Sequence, residues 1–564
     1  MNQNPGAFDL GQSMNEALAL QRQGRLGEAE KIYTRVLKAA PDNFDALNLL
    51  GTVKARLGHM GEAHRLLSAA VKINPRAPGA WMNLGEVLQA LKRNKEALDC
   101  FDKARALAPD DVEILNRHAN ALLSSDRARD ALAEFQQVLA RVPQHAEARL
   151  NSGIAHAVLG APEAAVAEFD QVLAIAPRHP VAHYNRGVAL HELGHYAEAL
   201  AAQDAALAAA PDHAGAWLTR GRALAALNRY EEAIGCYGKA VTYRKDDADS
   251  QFMAALALLT LGDYAQGFEK YEYRWRRTGM APQKSRARRL WLGEYPLTRK
   301  TILVHAEQGL GDTIQFARYV PLLAQTGAKV ALEVQAELKP LMARLEGASA
   351  VIAPGEVPPP FDAHCPLGSL PLAFKTVPET VPAQFPYLAA DDAHIAKWSA
   401  RIGALARPRI ALAWSGNASH INDRNRSIAF ARLAPLLSTP ARFISIQRDV
   451  RSEDAAALAG ASRVLHVGGA LEDFNDTAAV IALADLVITV DTAVAHLAGA
   501  MAKPVWVLVP FAPDWRWTRA GETSPWYPTA RLFRQTSLGD WDGVLARVAA
   551  ELARFTSSHA QDQR

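Results

Sequence analysis

The spacing of prolines in the first half of the chain constrains the fold more than any other feature. Pro41, Pro75, Pro109, Pro143, Pro177 and Pro211 follow one another at a fixed interval of 34 residues. The same interval separates Gly51, Gly85, Gly153, Gly187 and Gly221, with Ala119 in the remaining position, and Ala29, Ala63, Ala97, Ala131, Ala165, Ala199 and Ala233. Small residues at a fixed interval allow two helices to cross closely, and a proline ends the second helix of each pair. The sequence therefore predicts an α-solenoid of helix pairs.

These repeats resemble the tetratricopeptide repeat, best seen in "WMNLGEVLQALKRNKEALDCFDKARALAP" from Trp81 to Pro109. We count seven repeats from about residue 10 to 247 and an atypical eighth, "DADSQFMAALALLTLGDYAQGFEKYEYRWR", to about 277. A divergent last repeat is typical of a cap or a docking surface. Its aromatic residues predict that it packs on the domain that follows.

Length, charge and cysteine content narrow the class of protein. A chain of 564 residues is too long for one hydrophobic core, and its net charge of +3 gives no general attraction to nucleic acid or anionic membrane. Residues 278–298 are predicted to form a basic linker in which no stripe of aromatic residues is interleaved, so nucleic-acid binding is not favoured. Three scattered cysteines, no secretory leader and no apolar stretch of membrane-spanning length favour a cytoplasmic protein without disulfides, structural metal or membrane span.

After residue 300 the pattern changes to short apolar runs that alternate with helical stretches. The runs are "TILVHA", "KVALEV", "RIALAW", "RFISIQ", "LVITVD" and "PVWVLV". Such alternation predicts an α/β fold with parallel sheets. A proline-rich interval divides the region into halves of about 299–390 and 408–556, which we expect to enclose a cleft. The predicted domains are thus a repeat array over 1–277, the linker over 278–298 and a two-halved α/β domain over 299–564.

The first candidate site lies in "VHAEQGLGDTIQF", where a strand leads into Gly309 and Gly311. These glycines allow the backbone to approach a ligand, and Asp312 stands at the start of the helix that follows, whose free N–H groups would face the cleft. The alternative is an ordinary strand-to-helix turn in which Asp312 serves only as the N-cap.

Two further motifs belong to the second half. In "ALAWSGNASHINDRNRSI", Ser415, Gly416 and Asn417 end a strand, and Arg424 and Arg426 follow in a loop. Hydroxyl and amide donors with guanidinium groups suit a diphosphate. The alternative is a solvated loop with two surface arginines.

In "LVITVDTAVAHLAGA", Asp491 and Thr492 stand at a helix N-terminus, and His496 lies on the first turns of that helix. The helix dipole and free N–H groups favour a phosphate there, and Asp491 could accept hydroxyl groups of a ribose or sugar. The alternative is a pair of capping residues and a packed histidine.

Residues 299–556 also resemble the heptosyltransferase-like glycosyltransferases of family 9. The motifs that carry the resemblance are "GLGDTIQFARY", "WSGN…NDRNRS", "ISIQRD", "DFNDTAAVIALADLVITVDTAVAHLAGA" and "PDWRW…SPWYP". The resemblance implies two Rossmann-like halves in the arrangement called GT-B, with Asp312 as the general base. It also implies a nucleotide-sugar donor held by Asp491, Thr492 and His496, and we assign Gln447 and Arg448 of "ISIQRD" to the same donor site.

Two departures point away from ADP-heptose and a lipid acceptor, which the lipopolysaccharide enzymes of that family use. This chain carries repeats, and it has "SGNASHINDRNRS" in place of a lysine-bearing phosphate loop. Repeats joined to a GT-B domain are similar to protein O-GlcNAc transferases and to bacterial flagellin glycosyltransferases, which implies a protein acceptor. Asn83, Asn151 and Asn185 recur on first helices and could grip its backbone. The alternative is solvated asparagines.

The sequence thus favours a cytoplasmic, metal-independent GT-B glycosyltransferase that needs no cofactor besides its nucleotide-sugar substrate. It would modify Ser or Thr of a protein held by the repeats, with flagellin as one candidate. Two other functions stay open, namely a scaffold with a degenerate transferase domain and a transferase for glycan or lipid carriers. The donor base and sugar, the acceptor, the stereochemical outcome and the oligomeric state are not determined by the sequence.

Overall fold

The computed structural model describes residues 9–277, 289–420 and 422–562. The chain forms two compact units, Met1–Asp212 and His213–Arg564. The predicted domain boundary near residue 277 falls inside the second unit and stays a prediction, and residues 278–288 of the predicted linker lie outside the described residues.

The first unit consists of helix pairs. Its helices are α1 (Leu10–Arg22), α2 (Leu26–Ala39), α3 (Phe44–Arg56), α4 (Met60–Ile73), α5 (Pro78–Ala90), α6 (Asn94–Leu107), α7 (Val112–Leu123), α8 (Ala128–Arg141), α9 (Ala146–Val158), α10 (Pro162–Ile175), α11 (Pro180–Leu193) and α12 (Tyr196–Ala209). Helices α1, α3, α5, α7, α9 and α11 contact one another in succession. The first helices of the pairs therefore form one continuous layer.

Close helix crossings explain the small residues of the repeat. A Cβ atom added at Gly85 would lie 2.8 Å from Phe101 Cζ, and one at Gly153 would lie 2.6 Å from Phe169 Cε1. Both aromatic rings are fully buried. At Gly85 and Gly153, therefore, an aromatic side chain of the second helix packs directly on the backbone of the first.

The second unit begins with two more helix pairs. These are α13 (Ala214–Ala226) with α14 (Tyr230–Tyr243), and α15 (Ala248–Leu261) with α16 (Tyr264–Tyr271), after which a 3-10 turn spans Glu272–Arg276. The eighth pair is shorter than the others, because α16 has 8 residues where α14 has 14.

The first α/β half then follows. Its elements are β1 (Arg289–Leu290), β2 (Thr301–His305), α17 (Leu310–Phe316), α18 (Tyr319–Gln325), β3 (Lys329–Glu333), α19 (Lys339–Met342), β4 (Ala348–Ile352), β5 (Ala363–Pro366) and α20 (Leu370–Ala373). All strand pairs are parallel, in the order β1-β5-β2-β3-β4. The sheet order reverses beside β2, so the turn after β2 opens into the crevice at the carboxyl edge.

The second half has a larger sheet. Its elements are α21 (Asp392–Ile402), β6 (Arg409–Ala413), α22 (Asp423–Arg426), α23 (Ala434–Leu437), β7 (Arg442–Ser445), α24 (Ser452–Ala459), β8 (Val464–His466), α25 (Phe474–Leu483), β9 (Leu486–Val490), α26 (Ala493–Ala500), β10 (Val505–Val509), β11 (Ala530–Arg534) and α27 (Trp541–Asp562). The strands are parallel in the order β11-β10-β9-β6-β7-β8. Here the order reverses between β6 and β9, the two strands that precede the predicted site motifs.

An aromatic cluster joins the eighth helix pair to both halves. The Tyr264 ring stacks on Trp526 at 5.8 Å between centroids, and its hydroxyl accepts a 2.9 Å hydrogen bond from Trp526 Nε1. Phe268 packs edge-on against Trp515 at 5.7 Å, and Trp515 in turn stacks on Phe316 of α17. The prediction that the atypical repeat packs on the following domain is confirmed.

The fold class predicted from the sequence is confirmed as well: a tetratricopeptide-type α-solenoid precedes two α/β halves of the GT-B kind. All six apolar runs form strands, and each strand is one or two residues shorter than its run. Within the described ranges, no helix is both long and apolar enough to cross a bilayer. Cys100, Cys236 and Cys365 are buried, and none of them is in a disulfide within the described residues.

Candidate functional site

The turn after β2 places Asp312 at the start of α17. Gly309 is the N-cap of this helix, and Asp312 occupies the third helical position, where its Oδ2 accepts a 2.9 Å hydrogen bond from the Gly309 N–H. The expectation that Asp312 itself is the N-cap is therefore wrong by three residues, because its carboxylate reaches back to the cap from inside the first turn. The other carboxylate oxygen of Asp312, Oδ1, has a different partner.

That oxygen forms an ion pair with Arg516, which comes from the second half. The Arg516 guanidinium donates from Nη2 to Asp312 Oδ1, from Nη1 to Asp514 Oδ1 at 2.8 Å and from Nε to Gln315 Oε1 at 2.5 Å. Arg516 is buried, and burial alone would lower its pKa, but Asp514 and Asp312 outweigh that effect and raise it above the usual value. The guanidinium therefore stays charged and fixes the orientation of Asp312.

Gly311 brings the two halves into direct contact. A Cβ atom at this position would lie 2.7 Å from His496 Cδ2 and 3.6 Å from the Cα atom of Ala493. Only glycine fits between the turn and the histidine ring, so the N-terminal ends of α17 and α26 meet at this point. The two predicted motifs, although 180 residues apart in the chain, therefore form one site.

The start of α26 has the geometry predicted for it. Thr492 is the N-cap, and its hydroxyl accepts a 3.3 Å hydrogen bond from the Val494 N–H. His496 is buried with its ring stacked on Trp517 at 5.3 Å, and its Nδ1 lies 2.9 Å from the Tyr527 hydroxyl. Burial, with a smaller effect of nearby arginines, lowers the pKa of His496 well below its usual range. The imidazole is therefore neutral at physiological pH.

The tautomer of His496 follows from its partner. Burial raises the pKa of Tyr527 well above its usual value, so the phenol keeps its proton and can donate it to Nδ1. In that arrangement Nε2 carries the imidazole proton. Nε2 lies 3.4 Å from the position of a Cβ atom at Gly311, so this N–H donor faces the glycine turn.

Asp491 lies beside a second acidic residue. Burial raises the pKa of Asp491 to about 6, and Asp514 adds to the shift, whereas Arg426 and Arg516 oppose it. The backbone carbonyl of Asp491 accepts a 3.0 Å hydrogen bond from Arg426 Nη1. Arg426 therefore connects the turn after β6 with the turn after β9.

The turn after β6 offers two polar atoms that make no hydrogen bond within the described residues. One is Oγ of the buried Ser415, and the other is Arg426 Nε, which lies 3.8 Å from Asp423 Oδ1 in a long ion pair. A Cβ atom at Gly416 would lie 2.5 Å from Arg426 Nη2, so glycine is needed for the guanidinium to pack on the backbone. Buried polar groups without partners are rare, and here they line the edge of the sheet where a ligand is expected.

The other predicted donor-site residues differ in their surroundings. Gln447 is buried, and its carboxamide bridges backbone groups: Oε1 accepts from the Trp414 and Ser415 N–H groups at 3.1 Å, and Nε2 donates to the Ser415 carbonyl. Asn417 is exposed and accepts from the Ser419 N–H. Arg424 and Arg448 have exposed side chains. Gln447 therefore shapes the Ser415 turn, and the other three lie at its rim.

Two of the three repeat asparagines pair with a second asparagine, which the sequence did not predict, and their binding of an acceptor stays a prediction. Asn83 Nδ2 donates to Asn48 Oδ1 at 3.0 Å, and Asn151 Nδ2 donates to Asn120 Oδ1 at 2.7 Å. Asn185 instead donates to the Val181 carbonyl of its own helix. All lie on first helices, and although Asn120 also donates to Glu147 Oε1 at 3.1 Å, each carboxamide keeps further donor or acceptor capacity. The sequence did not indicate Asn48 and Asn120, because they occupy other positions of the repeat than Asn83, Asn151 and Asn185 do.

One group of side chains in the described residues has the spacing of a metal site, namely His394, Asp473 and Asp476. Its carboxylates already have partners. Asp476 accepts from Lys397 Nζ at 3.1 and 3.2 Å and from Trp398 Nε1 at 2.6 Å, and Asp473 caps α25. The lysine ammonium therefore supplies the positive charge beside this cluster, and metal independence of the candidate site stays a prediction.

Sequence reasoning missed Asp514 and Arg516. Both belong to "PDWRW", which is part of the family resemblance, but neither follows a strand directly and neither has a spacing that suggests a site. Only the folded chain shows that this segment reaches Asp312 from the opposite half.

The shifted pKa of Asp491 predicts a pH-dependent effect of its replacement. A group with a folded pKa of about 6 and an unfolded value near 3.8 binds its proton more tightly when folded, so it destabilises the protein as pH rises from about 4 to about 6. Asp491→Asn should therefore unfold at a higher urea concentration than wild type at neutral pH, by on the order of 1 kcal/mol after solvent screening. The difference should disappear below about pH 4.

Asp540→Asn is the control with the opposite sign. Asp540 accepts a 2.9 Å hydrogen bond from the Gly543 N–H, which lowers its pKa, so its replacement should destabilise the protein above about pH 4. Equal or lower stability of Asp491→Asn at neutral pH would show that Asp491 is not destabilised by its surroundings.

Models of known protein families match both the repeats and the second α/β half. Models of the tetratricopeptide repeat match residues 116–180, 180–213 and 218–283, and a model of anaphase-promoting complex subunit 3 matches 22–104. The model of glycosyltransferase family 9 (heptosyltransferase) matches residues 389–538, the segment that holds Ser415, Asp491 and Arg516.

Individual proteins are similar over parts of the chain. Protein FlbA of Caulobacter vibrioides is 29% identical over 324 residues, which cover 52% of this chain and 53% of FlbA, so the chain spans about half the length of that curated relative. A solved tetratricopeptide repeat protein from Parabacteroides merdae is 19% identical with a TM-score of 0.37, over 44% of this chain and 98% of that one. The tetratricopeptide protein TTC0263 of Thermus thermophilus is 27% identical with a TM-score of 0.29, over 32% and 100%.

The repeats and the site-bearing segment thus match separate families, each over its own part of the chain. The chain thus joins repeats that match the tetratricopeptide models to a segment, 389–538, that matches the model of glycosyltransferase family 9 (heptosyltransferase).

Proposed function

We propose that this protein transfers a sugar from a nucleotide-sugar donor to a Ser or Thr hydroxyl of a protein acceptor that the repeats hold. The observation that carries the proposal is the contact between the two halves at Gly311, which lies against His496 while its neighbour Asp312 pairs with Arg516. The family 9 match to the second half supports transfer of a sugar, and the repeats support a protein as the partner.

The donor is assigned to the second half. The N–H groups at the start of α26 and the positive end of its dipole suit a phosphate group. Within the described residues, Ser415 Oγ and Arg426 Nε make no hydrogen bond, and they follow the neighbouring strand, where they can complete the shell of a diphosphate. The neutral His496 can donate from Nε2 without adding a charge.

Asp312 is assigned the role of general base. One of its oxygens accepts from Gly309 and the other from Arg516, and a carboxylate offers about four lone-pair positions in all. A further acceptor position on each oxygen can therefore receive a hydroxyl proton. Because both existing bonds fix the side chain, the base is held in place before the acceptor arrives.

The negative charge that develops on the departing nucleotide needs stabilisation. Arg426 and the start of α26 lie at that side of the cleft, so the reaction as proposed uses fixed protein charges and dipoles and no metal ion. The nucleotide sugar is a substrate, and the proposal includes no other cofactor. The proposal also places the protein in the cytoplasm.

The acceptor is assigned to the layer of first helices. The pairs Asn48–Asn83 and Asn120–Asn151 present carboxamides at intervals along this layer, and such groups bind a peptide backbone whatever its side chains are. Flagellin is among the acceptors to be tested, because the chain resembles repeat-containing flagellin glycosyltransferases in its organisation.

Replacement of Asp312 tests the chemistry. Asp312→Asn keeps an oxygen that can accept from Gly309 but removes the base, so kcat should fall by roughly 10²–10⁴ while the KM for the donor changes little. Turnover is measured as nucleotide release and as mass gain of the acceptor. Asp391→Asn, which alters the N-cap of α21 away from the cleft, should keep normal turnover. Near-normal kcat in Asp312→Asn would reduce Asp312 to a structural residue of the helix start.

Replacement of the repeat asparagines tests acceptor binding. The triple variant Asn83→Ala, Asn151→Ala, Asn185→Ala should raise the KM for the protein acceptor by about tenfold or more, because it removes binding shared by ground and transition states. Donor hydrolysis to water should not change. Mass spectrometry of the acceptor measures the effect, with Asn94→Ala, an exposed residue of a second helix, as the control. An unchanged acceptor KM would contradict the role of the repeats, and absence of any turnover by wild type would favour a scaffold.

A further inference from the structure

The last helix pair contacts the glycine turn directly; by glycine turn we mean residues Gln308–Asp312. The Tyr271 hydroxyl donates to Gln308 Oε1 at 2.9 Å and accepts from Gln308 Nε2 at 2.8 Å. Tyr271 is the final residue of α16, and Gln308 directly precedes the N-cap of α17. A side chain of the repeat array thus contacts a residue that lies four positions before the proposed base in the chain.

Gln308 is held from its other side as well. Its backbone carbonyl accepts a 2.8 Å hydrogen bond from Gln335 Nε2, and Gln335 Oε1 accepts from the Thr313 hydroxyl at 2.9 Å. These bonds enclose the glycine turn between Tyr271 on one side and Gln335 on the other. The position of Asp312 therefore depends on both contacts.

Tyr271 is itself immobilised. Its ring is buried, packs against Phe252 at 5.4 Å and lies under the Arg274 guanidinium at 4.8 Å. Burial raises the pKa of Tyr271 to about 12, so its hydroxyl keeps its proton over the range in which proteins function. The bond to Gln308 is therefore a fixed contact from a rigid side chain.

Arg274 adds a second connection to the same segment. Its Nη2 donates to Glu307 Oε1 at 3.0 Å and to Ser369 Oγ at 2.7 Å, and its Nη1 donates to Glu272 Oε1 at 2.5 Å. Glu307 also accepts from the Gly368 N–H at 3.1 Å. Arg274 is fully buried, so this ion-pair network is shielded from water and fixes the chain just before the glycine turn.

From these contacts we infer that Tyr271 is a positioning residue that holds the glycine turn so that Asp312 meets the acceptor hydroxyl. Arg274 supports it by fixing Glu307. The inference rests on the proposed function, because it assigns Tyr271 a role in that reaction. Tyr271 acts through Gln308, and the end of the repeat array becomes part of the support of the active site.

Removal of one oxygen atom tests the inference in the full-length protein. Tyr271→Phe keeps the ring and its packing, and it should lower kcat on the order of 10-fold, because small displacements of a reacting group can cost up to about 10²-fold. The KM for the donor should not change, since the donor is assigned to the opposite half. Tyr273→Phe is the matched control: its ring packs on Arg276 and it should keep full activity.

Backbone hydrogen exchange gives a readout that needs no turnover. In Tyr271→Phe, amides of residues 308–313 should exchange faster than in wild type, while Tyr273→Phe should leave them unchanged. Gln308→Met should have the same effects as Tyr271→Phe, and the double variant should be no worse than either single variant, because both remove one interaction.

The outcomes separate this inference from the proposed function. If wild type transfers sugar, and Tyr271→Phe leaves both kcat and the exchange at 308–313 unchanged, the positioning role is overturned while the function stands. If wild type transfers no sugar, the proposed function and the role assigned within it both fail, and the exchange then reports only whether Tyr271 holds the turn.

Discussion

The approach of Gly311 to His496 is the contact on which the candidate site depends. It brings the first turns of α17 and α26 together, so that the donor side and the base side share one cleft. The Arg516 ion pair with Asp312 then crosses the same boundary and fixes the relative position of the two motifs. A side chain larger than hydrogen at residue 311 would separate the halves, because the histidine ring has no room to move between Trp517 and Tyr527.

The end of the repeat array is structurally part of the transferase unit. Helices α13–α16 belong to the same compact unit as both α/β halves, and Tyr264 and Phe268 share a buried aromatic cluster with Trp515 and Trp526. Trp515 is adjacent to Arg516 in the chain. The aromatic cluster therefore supports the segment that reaches Asp312, and Tyr271 supports the glycine turn from the other side. One helix pair stabilises both partners of the ion pair.

Much of this fold could be predicted because its signals are local. The interval of 34 residues determines the helix pairs, and continuous apolar runs mark strands that are buried on both faces. The turns bearing Gly311, Ser415 and Asp491 were found because each follows such a strand. Arg516 and Tyr271 could not be found in this way: their roles come from contacts with residues about 200 and 40 positions away, and neither lies in a local pattern. The N-cap of α17 could not be predicted correctly from the sequence. An aspartate in the third helical position of a capping box and an aspartate at the N-cap itself look alike in sequence.

The most direct test is a calorimetric titration of the protein with its nucleotide sugar. A thermal-shift panel of UDP, GDP, ADP, CMP and their sugars comes first and shows which nucleotide sugar to use. A ligand at 100 times its Kd stabilises a protein by about 2.7 kcal/mol, so the panel identifies the donor base. We predict that wild type binds one class of nucleotide sugar. His496→Leu, checked for folding by circular dichroism, should bind it at least about tenfold more weakly, a loss of about 1.4 kcal/mol. His183→Leu, in the repeat array, should bind it as wild type does. Equal affinities of wild type and His496→Leu would contradict a donor site at the start of α26.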